Sequence, residues 1–475
     1  MPSFPLRSAA VLLSFRLAVP LVAASLGFVP RAVTPLAAQQ PIATEYRAAA
    51  DRLIDAALAD SAAFEKLTLL TDGFGPRLSG SRSLEDAIDW ILDQMRKEGL
   101  DSVRGEPVMV PHWVRGEESA ELTHPRRQRL GMLGLGMSVG TPPGGIEAPV
   151  LVVSSFEELE RRKSEARGRI VVYDVPFTGY GQTVQYRTNG ASAAARHGAV
   201  AVLVRSVGPV SLYTPHTGTM TYDSTAPRIP AAAITVEDAM LLHRLADRGD
   251  TVRVRLAMGA RTLPEAPSRN VVAEVRGSEF PDEVVVLGGH IDSWDVGQGA
   301  MDDAAGCVAA WEAVRLIKAL GLTPRRTVRV VLWTNEENGL RGATGYRDAH
   351  RDAVDRHVLA IESDNGVFTP SGFGFTGSDS ARMKVSEIAG LLQRIGAGTI
   401  SAGGGGADIG PLMELGVPGM SPTVDGSRYF WYHHSHADTI DKLDPRDLGL
   451  VTAAMAVMAY VVADLPEPLP RGAGR

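Results

Sequence analysis

"RTVRVVLWTNEENG" runs from Arg326 to Gly339. Its first eight residues read as a strand with an apolar interior, Val328 to Trp333. The strand gives way to two adjacent acids, Glu336 and Glu337. Working outward, strand-like and helical runs alternate from Asn270 to the C-terminus. "NVVAEVRG" and "EVVVLGG" are strands, and "AAGCVAAWEAVRLIKAL" (Ala304 to Leu320) is a long helix. "GLRGATGYRDAH" is a helix, "HVLAIESD" a strand, and "DPRDLGLVTAAMAVMAYVVADL" the closing helix. Strands that are apolar throughout need cover on both faces. The class is therefore α/β, a mixed and mostly parallel sheet sandwiched by helices. Such sheets place their sites at the carboxyl ends of strands, where Glu336 and Glu337 fall.

Composition sets the bounds. With 475 residues, 44% hydrophobic, 22% charged and 50 glycines, the chain is neither disordered nor fibrous. The net charge of −7 comes with no basic run, so nucleic acid is not an expected partner. Arg7 and Arg16 precede an apolar run, Leu17 to Val29, and small residues follow at Ala37 and Ala38. That pattern reads as an export signal, residues 1–38, leaving no membrane association after cleavage. Cleavage would remove Arg7, Arg16 and Arg31 and no acid, taking the charge from −7 to −10. The product would be secreted or periplasmic. Cys307 is the single cysteine, so no internal disulfide forms, and it reads as packing inside an Ala-rich helix. Thr452 to Leu465 is apolar but reads as a core helix rather than a membrane span.

Between the signal and Asn270 two textures differ. "SRSLEDAIDWILDQMRKEGL" is an amphipathic helix with a capping box at Ser83 and Asp86 and a closing Gly99. From about residue 120 the chain turns to Gly/Pro-rich loops, short strands and a helix at "ASAAARHGA". No ligand-like cluster of His and acids occurs there. We divide the chain into the signal, residues 39–119 and 266–475 as two parts of one catalytic domain, and 120–265 as an inserted α+β module.

Three further strand exits carry metal-type side chains. "LGGHIDSWDVGQGAMDDAAG" supplies His290, Asp292, Asp302 and Asp303, "IESDNG" supplies Asp364, and "FWYHHSHADT" supplies His433, His434 and His436. Imidazole and carboxylate gathered from separate exits suit zinc. With His290, Asp302, Glu337, Asp364 and His434 as ligands, the three carboxylates match two Zn²⁺ per chain better than one. A shared carboxylate would hold the ions about 3.5–4 Å apart. Glu336 and Glu337 would point to opposite sides of an extended exit, one binding metal while Glu336 serves as general base to the attacking water. Asp292 is placed to hydrogen-bond the other ring nitrogen of His290. His436, on the same side of an extended segment as His434, is an alternative ligand.

The stretches "GGHIDSWDVGQGAMDDAAG", "WTNEENG" and "YHHSHADT" closely resemble the di-zinc exopeptidases typified by bacterial leucyl aminopeptidases. The likeness spans essentially the whole mature chain, and the middle module resembles the inserted protease-associated domain of that family. It implies that His290, Glu337, Asp364 and His434 are ligands, Asp302 bridges the metals, Glu336 is the base and Asp303 supports the geometry. It is strongest for a branch acting on unblocked dipeptides, which implies a peptide substrate and a possible homodimer. Many relatives place tyrosine just before the last histidine to steady the oxyanion. Here His433 stands there, with Tyr432 before it, so His433, Tyr432 or neither takes that role.

The "GGGGAD" run (Gly403 to Asp408) lacks a Gly-Lys-Ser/Thr tail and is not expected to follow a strand, so it reads as a loop by the substrate rather than a phosphate cradle. Asp408 is a candidate for gripping an ammonium group. Two other functions stay in view. One is a catalytically idle scaffold of the same family; the other is a single-zinc acyltransferase like the glutaminyl cyclases. The sequence leaves open which peptide terminus is recognised.

Overall fold

The computed structural model describes residues 41–471; the segment expected to be an export signal, residues 1–38, lies outside them. The central sheet has eight strands, in the order Asp101–Val114, Arg261–Val275, Arg326–Trp333, Phe280–His290, His357–Glu362, Gly419–Val424, Pro370–Thr376 and Thr399–Ala402. The four middle strands run parallel, and the flanking pairs join them antiparallel. The α/β expectation holds.

Alternation along the central strands builds two cores. Val285 and Leu287 face the helices Arg47–Ala59, Arg82–Lys97, Ala305–Ala319 and Pro445–Asp464. Val284 and Val286 face the opposite layer, which includes helix Arg341–Ala349. The closing helix is buried from Leu448 to Ala463, as a core helix should be. Cys307 is buried in the same core.

A second eight-stranded sheet is assembled from strands lying between Glu118 and Met258, with Ile146–Val153, Ile170–Tyr173, Ala201–Arg205 and Ala231–Ile234 as its parallel centre. Strand Arg261–Val275 belongs to the central sheet along its whole length, paired with Asp101–Val114.

Three local expectations need correction. Helix Arg82–Lys97 is capped by Ser81, which accepts from Leu84 N at 3.2 Å; Ser83 instead donates to the carbonyls of Phe74 and Pro76. The helix expected at Ala191 begins a full three turns earlier, at Tyr180. The glycine run at Gly403 does follow a strand, Thr399–Ala402.

Candidate metal centre

The chain leaves strand Phe280–His290 for Arg326–Trp333 on one side, then returns to His357–Glu362 on the other. This reversal opens a crevice at the carboxyl ends of the three strands. Register places the candidates together: His290 pairs with Trp333, three residues before Glu336, and Gly288 pairs with Glu362, two before Asp364. Neighbouring strands lie about 4.8 Å apart, so their exits share one small volume. Gly289 permits the crowding beneath it, because a Cβ there would lie 2.1 Å from Asp303 Oδ2.

Asp302 sits between two groups. Its Oδ1 is 3.2 Å from His290 Nε2, and that nitrogen is 3.4 Å from Asp364 Oδ1. Its Oδ2 is 3.3 Å from His434 Nε2, and His434 Nε2 is 3.0 Å from Glu337 Oε2. His433 Nε2 is a further 3.6 Å neighbour of Asp302 Oδ2, its ring stacked 3.5 Å from that of His434. All five candidate ligands therefore converge. Proximity here is not hydrogen bonding: His290 Nε2, Asp302 Oδ2, Glu337 Oε1 and Asp364 Oδ1 are buried without hydrogen-bond partners among the described residues. Buried polar atoms are normally satisfied, so such orphans aimed at a common point fit a cation-binding donor set.

Electrostatics mark the same cluster. Burial pushes Glu336 well above the usual carboxylate range, and the charges of Asp364 and Glu337 add to it. Burial also raises Glu337, to about 7, with Asp302 adding. Burial opposes charge on Asp302 too, but the imidazoles of His290 and His434 outweigh it and hold Asp302 low. Burial and the neighbouring His434 push His433 down, favouring its neutral form.

Supporting groups hold the donors. Asp303 accepts from His290 N at 3.1 Å and Gly306 N at 3.2 Å. Asp438 accepts from Met301 N and Asp302 N at 2.7 and 3.2 Å. Asp292 departs from expectation. Its backbone carbonyl, not its carboxylate, faces His290 Nδ1 at 2.9 Å; the carboxylate is 3.9 Å from that nitrogen. The carboxylate instead accepts from Glu336 N at 3.0 Å, Glu337 N at 3.3 Å and Ser79 Oγ at 3.2 Å. It thus fixes the paired-glutamate turn. That exit is a turn rather than extended chain, entered through Asn335 at φ 68°.

A cleft of about 550 Å³ opens onto the cluster, lined by Asp302, Glu336, Glu337, Asp364, His433 and His434. Tyr432 is not in its wall. The chain from Tyr429 to Tyr432 forms a helical turn, which brings Tyr429, four residues before His433, into the lining. His436 is exposed and is not among the residues lining the cleft. Asp408 is buried with both oxygens unpartnered among the described residues, and it too lies outside the lining.

Besides Tyr429, sequence reasoning overlooked Arg77 and Arg187. Arg77 is fully buried and donates to the carbonyls of Gly75, Ile291, Gln298 and Gly299, fixing the loop between His290 and Asp302. Its only sequence signal is a lone charge in "GPRLSGS". Arg187 reaches the cleft from the second sheet's helix Tyr180–Ala195.

Known proteins resemble this chain in sequence and fold. Residues 270–459 match peptidase family M28. Carboxypeptidase Q of Mus musculus is 51% identical over 408 residues, covering 86% of this chain and 87% of the mouse protein. The Homo sapiens protein is 51% identical over 413 residues, covering 87% and 88%. The crystal structure of a peptidase M28 precursor from Shewanella amazonensis SB2B superposes with a TM-score of 0.87 at 36% identity, covering 90% of this chain and 99% of that one. A zinc aminopeptidase from Bacillus subtilis shares the fold at a TM-score of 0.64 and 19% identity, covering 84% and 93%. With half its residues shared across most of both chains, this protein belongs to peptidase family M28.

Proposed function

We propose that this chain is a zinc exopeptidase cleaving dipeptides or other short peptides with free termini, with two zinc ions per chain and Glu336 as general base. The observation carrying this reading is the position of Asp302, one carboxylate oxygen beside His290 and Asp364 and the other beside His434 and Glu337. His290 and Asp364 would hold one ion, Glu337 and His434 the other, and Asp302 both. All five donors are present and converge, which argues against an idle scaffold.

Zinc bound there would supply Lewis acidity to the scissile carbonyl and a lowered pKa to the attacking water. The chain's own groups do the rest. Glu336, in the cleft wall and held through its backbone by Asp292, takes a proton from the water and passes it to the leaving amine. Its carboxylate suits the first half of that task, since burial among acids favours accepting a proton. His433 and Tyr429, which line the cleft, would donate to the oxyanion in this reading. In the same reading the second sheet, with strands between Glu118 and Met258, is a protease-associated insertion that ends before strand Arg261–Val275 rather than at residue 265. The chain on either side forms the catalytic domain, and the protein is exported.

Glu336→Gln tests the assigned base. It is expected to keep the wild-type zinc content and to lose about 10²–10⁴-fold in kcat. Near-normal turnover would refute the base; loss of zinc would mean that the two glutamates have exchanged roles.

A further inference from the structure

Arg187 is a buried cation that meets no acid among the described residues. It is 5% exposed on helix Tyr180–Ala195. Its Nη2 donates to Tyr180 Oη at 2.8 Å and its Nη1 to the Thr217 carbonyl at 3.3 Å. Its Nε has no hydrogen-bond partner among the described residues. Nη1 also lies 3.4 Å from His434 Nδ1. If His434 Nε2 serves as a ligand, Nδ1 carries the proton and faces the Thr217 carbonyl, 3.4 Å away. The guanidinium then cannot donate to that ring, and most of its five N–H groups are free.

Leaving such a charge buried and unpaired is costly unless an anion arrives to meet it. The guanidinium fork matches a carboxylate in geometry as well as charge. Arg187 and Tyr180 both line the cleft that holds Asp302, Glu336, Glu337 and Asp364. Elsewhere on that wall a substrate carboxylate would meet acids.

We infer that Arg187, assisted by the Tyr180 hydroxyl, binds the C-terminal carboxylate of the substrate and thereby makes this enzyme select peptides that leave a single free amino acid on that side. This inference rests on the exopeptidase reading above. Distance sets the length. Arg187 is one imidazole removed from the donor cluster, because His434 Nε2 is in turn 3.3 Å from Asp302 Oδ2. An extended residue advances about 3.3–3.6 Å, so a carboxylate one residue beyond the scissile carbonyl reaches the guanidinium and a longer extension overshoots it. The module without any ligand-like cluster in its sequence thus supplies the group that selects the substrate's end.

The test compares one dipeptide with its C-terminal amide on the zinc-loaded full-length chain. Wild type should prefer the free acid, and Arg187→Ala should lower the acid-to-amide ratio of kcat/KM by about 100-fold, chiefly through KM. Tyr180→Phe, which removes one hydroxyl, should lower that ratio about tenfold and decides the matter should Arg187→Ala fail to fold. A ratio unmoved in either folded variant would overturn the proposal and leave Arg187 as a tether for the Thr217 backbone. Equal wild-type rates on acid and amide would overturn it as well. Absence of chelator-sensitive cleavage of both substrates by wild type would instead sink the exopeptidase reading beneath it.

Discussion

The two ends of the central parallel strands bury the same kinds of side chain and treat them oppositely. At the amino end, His357 opens its strand with both ring nitrogens engaged, Nδ1 against the Ala353 carbonyl and Nε2 against the Tyr346 hydroxyl, each at 3.1 Å. Arg326, 1% exposed, pairs there with Glu283 and donates to the Leu465 carbonyl. At the carboxyl end, His290 closes its strand with Nε2 unpartnered among the described residues, beside Asp364 Oδ1 in the same condition. Buried polar groups that satisfy one another stabilise a fold. Those that converge without hydrogen-bonding retain the capacity to bind something else.

Replacing one histidine at each end separates these roles most sharply. His290→Ala should reduce peptide hydrolysis by at least about 10³-fold while leaving the protein folded, since the lost donor serves catalysis. His357 should reveal itself through acid lability. Burial pushes its pKa down to about 4 from an ordinary 6.5, so the fold holds it neutral. As pH falls below 6.5 the unfolded chain takes up the proton first, and stability declines until about pH 4, by up to ~3 kcal/mol. Urea midpoints at pH 7 and pH 5 should therefore diverge in wild type and diverge less in His357→Gln, where the buried His216, also held down to about 4, keeps part of the effect. Equal divergence in both would break the assignment of His357 as a neutral structural group.

A smaller effect sharpens the carboxyl end. Asp292→Asn keeps the backbone carbonyl that faces His290 but weakens the acceptor for Glu336 N and Glu337 N. Activity should fall about 10–100-fold, with zinc content largely kept. Loss of zinc comparable to His290→Ala would mean that the carboxylate orients the ligand ring after all.

Much of this was legible in the sequence, for a chemical reason. A metal centre demands imidazoles and carboxylates, which are conspicuous where apolar strands end, and the parallel-sheet pattern dictates that those ends meet. His290, Asp302, Glu337, Asp364 and His434 were all found that way, and their positions converge. What escaped depended on local conformation or on space. Tyr432 was left open beside His433 for the oxyanion role, whereas a single helical turn presents Tyr429 to the cleft. Spacing cannot say whether Asp292 uses its carboxylate or its carbonyl toward His290. Arg326 stands in a pair of adjacent arginines that carries no sequence sign of burial, yet a strand start beside Glu283 and the Leu465 carbonyl buries it. Arg187 carries no pattern at all, because its significance lies in meeting no acid among the described residues.

Zinc stoichiometry tests the shared position of Asp302 most directly. Metal-free protein titrated with zinc and weighed by native mass spectrometry should take up two ions per chain, and Asp302→Ala should retain one at most. Wild type saturating at a single ion, or two ions persisting in Asp302→Ala, would contradict the dinuclear centre.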